Sequence, residues 1–154
     1  MMGALGKPLL ISIVGPTAVG KTSMAIQLAQ LFETEIISAD SRQFYREMSI
    51  GTAKPTDEEL GLAKHHFVYS HSIQGLYSAG EFGRDAHKKI EEIHEHNNCA
   101  IAVGGSGLYL KALWEGFDAM PEVDPEIRKK LNEELLEKGL APLLEELKSA
   151  DFKY

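Results

Sequence analysis

The sequence predicts an α/β fold, a parallel sheet flanked by helices, and three observations carry that reading. An apolar run, Leu9-Leu-Ile-Ser-Ile-Val14, leads straight into Gly15-Pro-Thr-Ala-Val-Gly-Lys-Thr22, a turn with the spacing G-x-x-x-x-G-K-T, and a helical stretch follows it. The same order of strand, glycine turn and helix returns at Cys99-Ala-Ile-Ala-Val103, Gly104-Gly-Ser-Gly107 and the residues from Leu108 onward. Helical and strand patterns alternate as far as Val103, after which strand signals cease. The predicted architecture is P-loop NTPase-like: a core sheet within residues 1–116, then the start of a helical insertion domain at 117–154.

Taken in order, Leu9 to Val14 reads as the first strand. Ser23 to Leu31 reads as a helix with Met24, Leu28 and Leu31 on one face. Glu35-Ile-Ile-Ser-Ala39 is a short β-type run ending at Asp40, which in a parallel sheet stands at the carboxyl end of the strand next to the phosphate loop. Residues 41–63 carry Gly51, Pro55 and Gly61 and read as loop plus a short helix around Asp57 to Leu62. Phe67-Val68-Tyr69 offers an edge strand. Ser78-x-x-Glu81 is a capping box, and Phe82, Ala86, Ile90 and Ile93 mark an amphipathic helix from Ala79 to about His96, stopped at Asn97-Asn98. Beyond Gly116, Pro121, Asp124-Pro125 and Gly139 bracket a helix with Asp124 as N-cap and Pro125 at its first position. Its apolar stripe is Ile127, Leu131 and Leu135, and a second amphipathic helix follows Pro142.

The 154 residues, 44% hydrophobic, are enough for one core in a soluble chain. The formal charge of −7 makes the average field repel polyanions, which weighs against a nonspecific nucleic-acid binder but leaves room for a local basic patch. Cys99 is the only cysteine, so no internal disulfide forms, and its place at the head of an apolar run suits a buried thiol. The run from Leu9 to Val14 is too short to span a bilayer, and no targeting segment is recognisable, so a cytoplasmic protein without a membrane partner is expected.

The chemistry centres on Gly15, Pro16, Thr17, Ala18, Val19, Gly20, Lys21 and Thr22. In such a loop, backbone N–H groups curl round phosphate oxygens, Lys21 brings a cation and Thr22 offers a hydroxyl to Mg²⁺, while the following helix points its positive end at the anion. This establishes a di- or triphosphate site without saying which bond is broken. Asp40, at a strand end, can hold Mg²⁺ through water, take a proton from a nucleophile, or simply cap a turn. Ser41, Arg42 and Gln43 carry side chains able to hydrogen-bond a base edge or a phosphate. Ser106 offers a hydroxyl between two glycines, as ligand contact or as helix cap. His65-His66 and His71 lack a second, well-spaced ligand set and read as surface or hydrogen-bonded histidines. Arg128, in Arg128-Lys-Lys130, can touch a phosphate backbone or stand on an exposed helix face among glutamates.

Six runs in order, Gly15 to Thr22, Ser38-Ala-Asp-Ser-Arg-Gln43, Ile50-Gly-Thr-Ala-Lys-Pro55, His65-His66, Tyr77-Ser-Ala with Phe82, and Gly104-Gly-Ser-Gly-Leu-Tyr-Leu110, resemble the tRNA dimethylallyltransferase family. The resemblance covers nearly the whole chain. It implies transfer of a dimethylallyl group from dimethylallyl diphosphate to the exocyclic N6 amine of the adenosine beside the tRNA anticodon, with Mg²⁺ as cofactor and diphosphate released. It further implies catalytic roles for Asp40, Lys21 and Ser106, metal binding at Thr22, and tRNA contacts from Asp40, Ser41, Arg42, Gln43, Ser106 and Arg128. The tRNA anticodon loop and dimethylallyl diphosphate are the implied partners, and a monomer is expected. Ser106 stands where the family often has threonine. The family pattern continues past residue 154 with further core strands and a later arginine motif, so the chain is expected to match the amino-terminal half, an incomplete core cut inside the insertion.

Two other classes fit part of the sequence. A P-loop small-molecule kinase using ATP would employ the loop and Asp40 equally well, but does not predict the Ser41-Arg-Gln43 or Gly104 to Leu110 runs. A transferase acting on free adenine nucleotides is a nearer variant. A noncatalytic domain that binds phosphate or tRNA is the third reading.

Overall fold

The computed structural model of the chain describes residues 7–118 and 123–153. Four parallel strands form one sheet: β1 (Leu9–Val14), β2 (Ile36–Ser38), β3 (His65–His66) and β4 (Cys99–Gly104), in the spatial order β1-β4-β2-β3. Registers pair Leu9 with Cys99 and Val14 with Gly104, while on the other side Ile36 meets Ile101 and Ser38 meets Val103. β4 is the central strand, buried at every residue, as its unbroken Cys-Ala-Ile-Ala-Val run requires of a strand covered on both faces.

Side-chain alternation divides the core. Ala100 and Ala102 of β4, with Ile37 of β2, meet Phe82, Ala86, Ile90 and Ile93 of α3 (Ala79–His94) and Leu110 and Leu113 of α4 (Gly107–Glu115). Ile101, Val103 and Ile36 face the other way, onto Ala25, Ile26 and Ala29 of α1 (Lys21–Leu31). α2 (Asp57–Leu62) and α3 both start at capping boxes, Thr56 with Glu59 and Ser78 with Glu81, each satisfying two otherwise unpaired N–H groups.

Four expectations need correction. α1 begins at Lys21, not Ser23, and its buried face is Ala25, Ile26 and Ala29, whereas Met24 and Leu31 are 56% and 72% exposed. The loop fixes the helix's rotation by aiming its first turn at the glycines, and two alanines then let it lie close on β4. The edge strand is His65–His66, paired in parallel with Ile36 and Ile37. Phe67 (φ 62°) and Tyr69 (φ 54°) are left-handed, which ends a strand; Phe67 turns in to pack on Phe44 and Phe82 with ring centroids 6.4 and 5.2 Å apart. The strand beside β1 is β4, so Asp40 follows the next strand but one. The last helix starts at Leu140, with Pro142 inside its first turn.

Two compact units divide the chain, Met1–Phe117 and Asp118–Tyr154. The second holds α5 (Pro125–Lys138), capped by the Asp124 side chain accepting the Glu126 N–H at 3.0 Å, and α6 (Leu140–Ala150). Ile127, Leu131 and Leu135 lie exposed along α5. Pro121 lies outside the described residues. Among the described residues no helix is long and apolar enough to cross a membrane.

Candidate functional site

Every strand of a parallel sheet ends on the same edge, so the loops after β1, β2 and β4 converge there. The glycine loop leaves β1 at Gly15 and closes at Gly20, whose φ of 88° makes it a left-handed N-cap that a side chain would strain. No side chain caps α1, and no acidic residue sits in its first turn, so its leading N–H groups and dipole favour an anion. Ala18, at φ 66°, holds the loop's apex in a conformation rare for a residue with a Cβ. Lys21 Nζ donates to the Pro16 carbonyl at 2.6 Å, across the mouth of its own loop.

The second glycine turn meets the first. A Cβ on Gly105 would stand 3.1 Å from the Gly15 carbonyl oxygen and 3.9 Å from Lys21 Nζ. A Cβ on Gly104 would stand 2.3 Å from the Ala39 carbonyl oxygen, so only glycine lets the end of β4 lie this close to the end of β2. Ser106 Oγ accepts the Ser41 N–H at 3.2 Å and donates to Ser41 Oγ at 3.3 Å. Asp40 Oδ1 accepts the Arg42 N–H at 3.0 Å, which sets the carboxylate by one oxygen.

Two depressions, about 300 and 250 Å³, open on this edge. The first lies between Gly15 to Thr17, Ser41 with Arg42, Gly51 with Thr52, and Ser106. The second lies over Gly20, Lys21, Thr22, Gln43, Glu59 and His65. Thr17, Asp40 and Ala53 line both. Asp40 therefore borders both depressions, and residues of the Gly15–Thr22 loop line each of them.

The structure thus brings Asp40, Ser41, Arg42, Ser106 and the loop together. Gln43 lines the second depression, but its amide is engaged inside the protein: Oε1 accepts the Ser38 hydroxyl at 2.9 Å and Nε2 donates to the Ala53 carbonyl at 2.9 Å. Arg128 lies on α5 in the second unit, exposed.

Sequence reasoning did not single out Ala53, Glu59 or His65 as lining residues. Gly51 and the Thr56-x-x-Glu59 cap were the available signals, since together they fold residues 51–59 over the sheet edge. His65 Nδ1 donates to the Ala63 carbonyl at 2.8 Å, which leaves Nε2 as an acceptor, buried and without a partner among the described residues. Burial lowers its pKa. His66 Nε2 pairs with Glu35 at 2.5 Å, and His71 Nδ1 meets Ser70 Oγ at 2.8 Å while its ring stacks on Tyr77 at 3.6 Å, so both are hydrogen-bonded as expected. Cys99 is buried, and burial pushes its thiol pKa up.

For Mg²⁺, the Thr22 hydroxyl and the Asp40 carboxylate border the same depression, and oxygen donors of this kind suit the ion. No group of three or more His, Cys, Asp and Glu able to hold a metal occurs among the described residues. The donor set fits an ion that shares its coordination with a phosphate-bearing ligand.

Residues 43–154 match the family model described as IPP transferase. The chain is 51% identical over 145 residues to the tRNA dimethylallyltransferase of Flavobacterium johnsoniae, covering 94% of this chain and 47% of that protein. It is 53% identical to the tRNA dimethylallyltransferase of Christiangramia forsetii, with 94% and 48% covered. Among solved structures, the tRNA isopentenylpyrophosphate transferase of Bacillus halodurans superposes with a TM-score of 0.70 at 38% identity, over 96% of this chain and 49% of that one. A eukaryotic dimethylallyltransferase acting on tRNA gives 0.68 at 31% identity, over 86% and 33%. The chain spans about half the length of the curated relatives it matches.

Proposed function

The chain belongs to the IPP transferase family, and from that footing we propose that it carries the prenyl-diphosphate half of a tRNA dimethylallyltransferase site. The reaction moves a dimethylallyl group from dimethylallyl diphosphate to the N6 amine of the adenosine beside the anticodon. The C–O bond to diphosphate breaks and its electron pair leaves with the diphosphate. A C–N bond forms to N6, and N6 gives up a proton. The observation that carries this reading is Asp40 bordering both depressions, one of them built on the phosphate loop.

In this reading Lys21 and the N–H groups of Gly15 to Thr22 hold the diphosphate and stabilise the charge that grows on it as the bond breaks. Mg²⁺, when bound at Thr22 with the Asp40 carboxylate nearby, supplies further neutralisation of that leaving group. Asp40 orients the amine and accepts its proton, and its bond from the Arg42 N–H fixes the carboxylate for that task. Ser41, Arg42 and Ser106, around the polar recess, and Arg128 on α5 contact the tRNA. An adenine in an anticodon loop is more easily turned into a recess than one in a duplex.

The test is mass spectrometry of tRNA nucleosides after incubation with the protein and dimethylallyl diphosphate, beside calorimetric titration with that diphosphate and with ATP. Prenylated adenosine and a preference for the prenyl donor are expected. A wide preference for ATP, with no prenylated nucleoside, would turn the assignment toward kinase chemistry.

A further inference from the structure

Gln43 stands in a run whose neighbours face the recess, yet its side chain is buried and bonded at both ends. Its backbone is committed too, with the N–H donating to the Asp40 carbonyl at 3.0 Å and the carbonyl accepting the Tyr69 N–H at 3.0 Å. The group its Nε2 reaches is the carbonyl of Ala53, a residue at φ 47°. A residue with a Cβ stays in that conformation only where its surroundings dictate it. Next to it, Lys54 donates to the Tyr45 carbonyl and lies 3.9 Å from the centre of the Tyr69 ring, so the far end of the same loop is tied to the same two segments. Ala53 is part of the wall common to both depressions.

We infer that Gln43 is a positioning residue: it clamps Ala53 so that the shared wall keeps its shape, and so influences both ligands through that wall instead of reading a base. Ser38 makes the clamp rigid by holding Oε1, which fixes which end of the amide faces Ala53. The inference rests on the transferase reading only for the identity of the two ligands.

Gln43→Met removes both amide bonds at similar side-chain length, and Gln43→Glu keeps an acceptor for Ser38 while losing the donor to Ala53. Two measurements are made on each: hydrogen exchange of the 51–54 amides without ligand, and titration with dimethylallyl diphosphate and with an RNA anticodon stem-loop. Both variants are expected to speed exchange at 51–54 and to weaken both ligands together, by about three- to tenfold, the worth of one lost hydrogen bond. Ser38→Ala, which frees Oε1 but leaves the donor to Ala53 in place, is expected to move exchange and both affinities in the same direction as the Gln43 variants and by less than either of them. In the unsubstituted protein one hydrogen of the Gln43 side-chain amide should exchange slowly, a readout that needs no variant. Weakened RNA binding alone, with exchange at 51–54 unchanged, would mean that Gln43 touches the RNA directly and would overturn the clamp. Faster exchange with both affinities intact would overturn the functional role of the wall. If the unsubstituted protein binds neither ligand, the transferase reading fails, and the exchange data alone decide whether Gln43 holds Ala53.

Discussion

Ser106 Oγ accepts the backbone N–H of Ser41 at 3.2 Å, joining the loop after β4 to the loop after β2 across a sequence separation of 65 residues. The two loops frame the polar recess, so this bond sets the distance between its walls. Ser106→Ala should cost about 1 kcal/mol of stability and weaken binding of an anticodon stem-loop, whereas Ser106→Thr, which retains the hydroxyl, should restore both. Chemical denaturation and an RNA titration measure the pair; equal behaviour of the two variants would refute the role given to the hydroxyl.

Lys21 and Asp40 flank the same depression, and the proposed transfer assigns them to different stages. Lys21→Ala removes a charged donor worth about 1.5–3 kcal/mol, so affinity for dimethylallyl diphosphate should fall by roughly 10- to 150-fold. Asp40→Asn should leave donor affinity near normal and lower prenyl transfer by about 10²- to 10⁴-fold. Donor calorimetry beside single-turnover assays separates the two. Normal turnover in Asp40→Asn would remove Asp40 from the base role.

Gly104 is where two strand ends touch. Adding a Cβ there brings it 2.3 Å from the Ala39 carbonyl oxygen, backbone that has nowhere to rotate. Gly104→Ala should therefore cost about 1–3 kcal/mol and displace the Asp40 turn, losing stability and donor binding together. Gly107→Ala, where among the described residues no atom beyond the neighbouring chain and its own helix lies within 4 Å of the added carbon, is the control and should retain both.

His65 gives the protein an acid-sensitive contact. Burial lowers its pKa, and the raising effects of the Ala63 carbonyl and the Glu59 charge do not offset it, with the His66 ring adding a small lowering of its own. The folded state thus binds fewer protons at this ring than the unfolded state, so stability is held above the ordinary value of 6.5 and falls as the pH drops from there toward the lowered folded value. His65→Gln should flatten that part of the pH profile of the unfolding midpoint. An unchanged slope below pH 6.5 would assign the loss to other groups.

Cys99 is the first residue of the central strand β4 and is buried, and that burial raises the pKa of its thiol. Alkylation at neutral pH should proceed only as fast as the fold opens, and rise steeply in denaturant. Modification of the native protein at the rate of a free thiol would contradict that burial.

The sequence by itself determined the local elements on which the candidate site stands. The G-x-x-x-x-G-K-T spacing marked a strand, a glycine turn and a helix in that order, and Ser78, Glu81, Asp124 and Gly139 mark helix ends because they satisfy backbone groups within a few residues of themselves. Local rules of this kind need no knowledge of the rest of the chain. What only the tertiary structure decided is who stands next to whom. β4 inserts between β1 and β2, which puts Asp40 across from the loop by way of Gly104; α1 turns alanines and not Met24 or Leu31 to the sheet; and Gln43 faces Ala53 and not solvent. Those outcomes depend on the order in which parallel strands pack and on the room left by side chains distant in sequence, and no residue's own pattern encodes either.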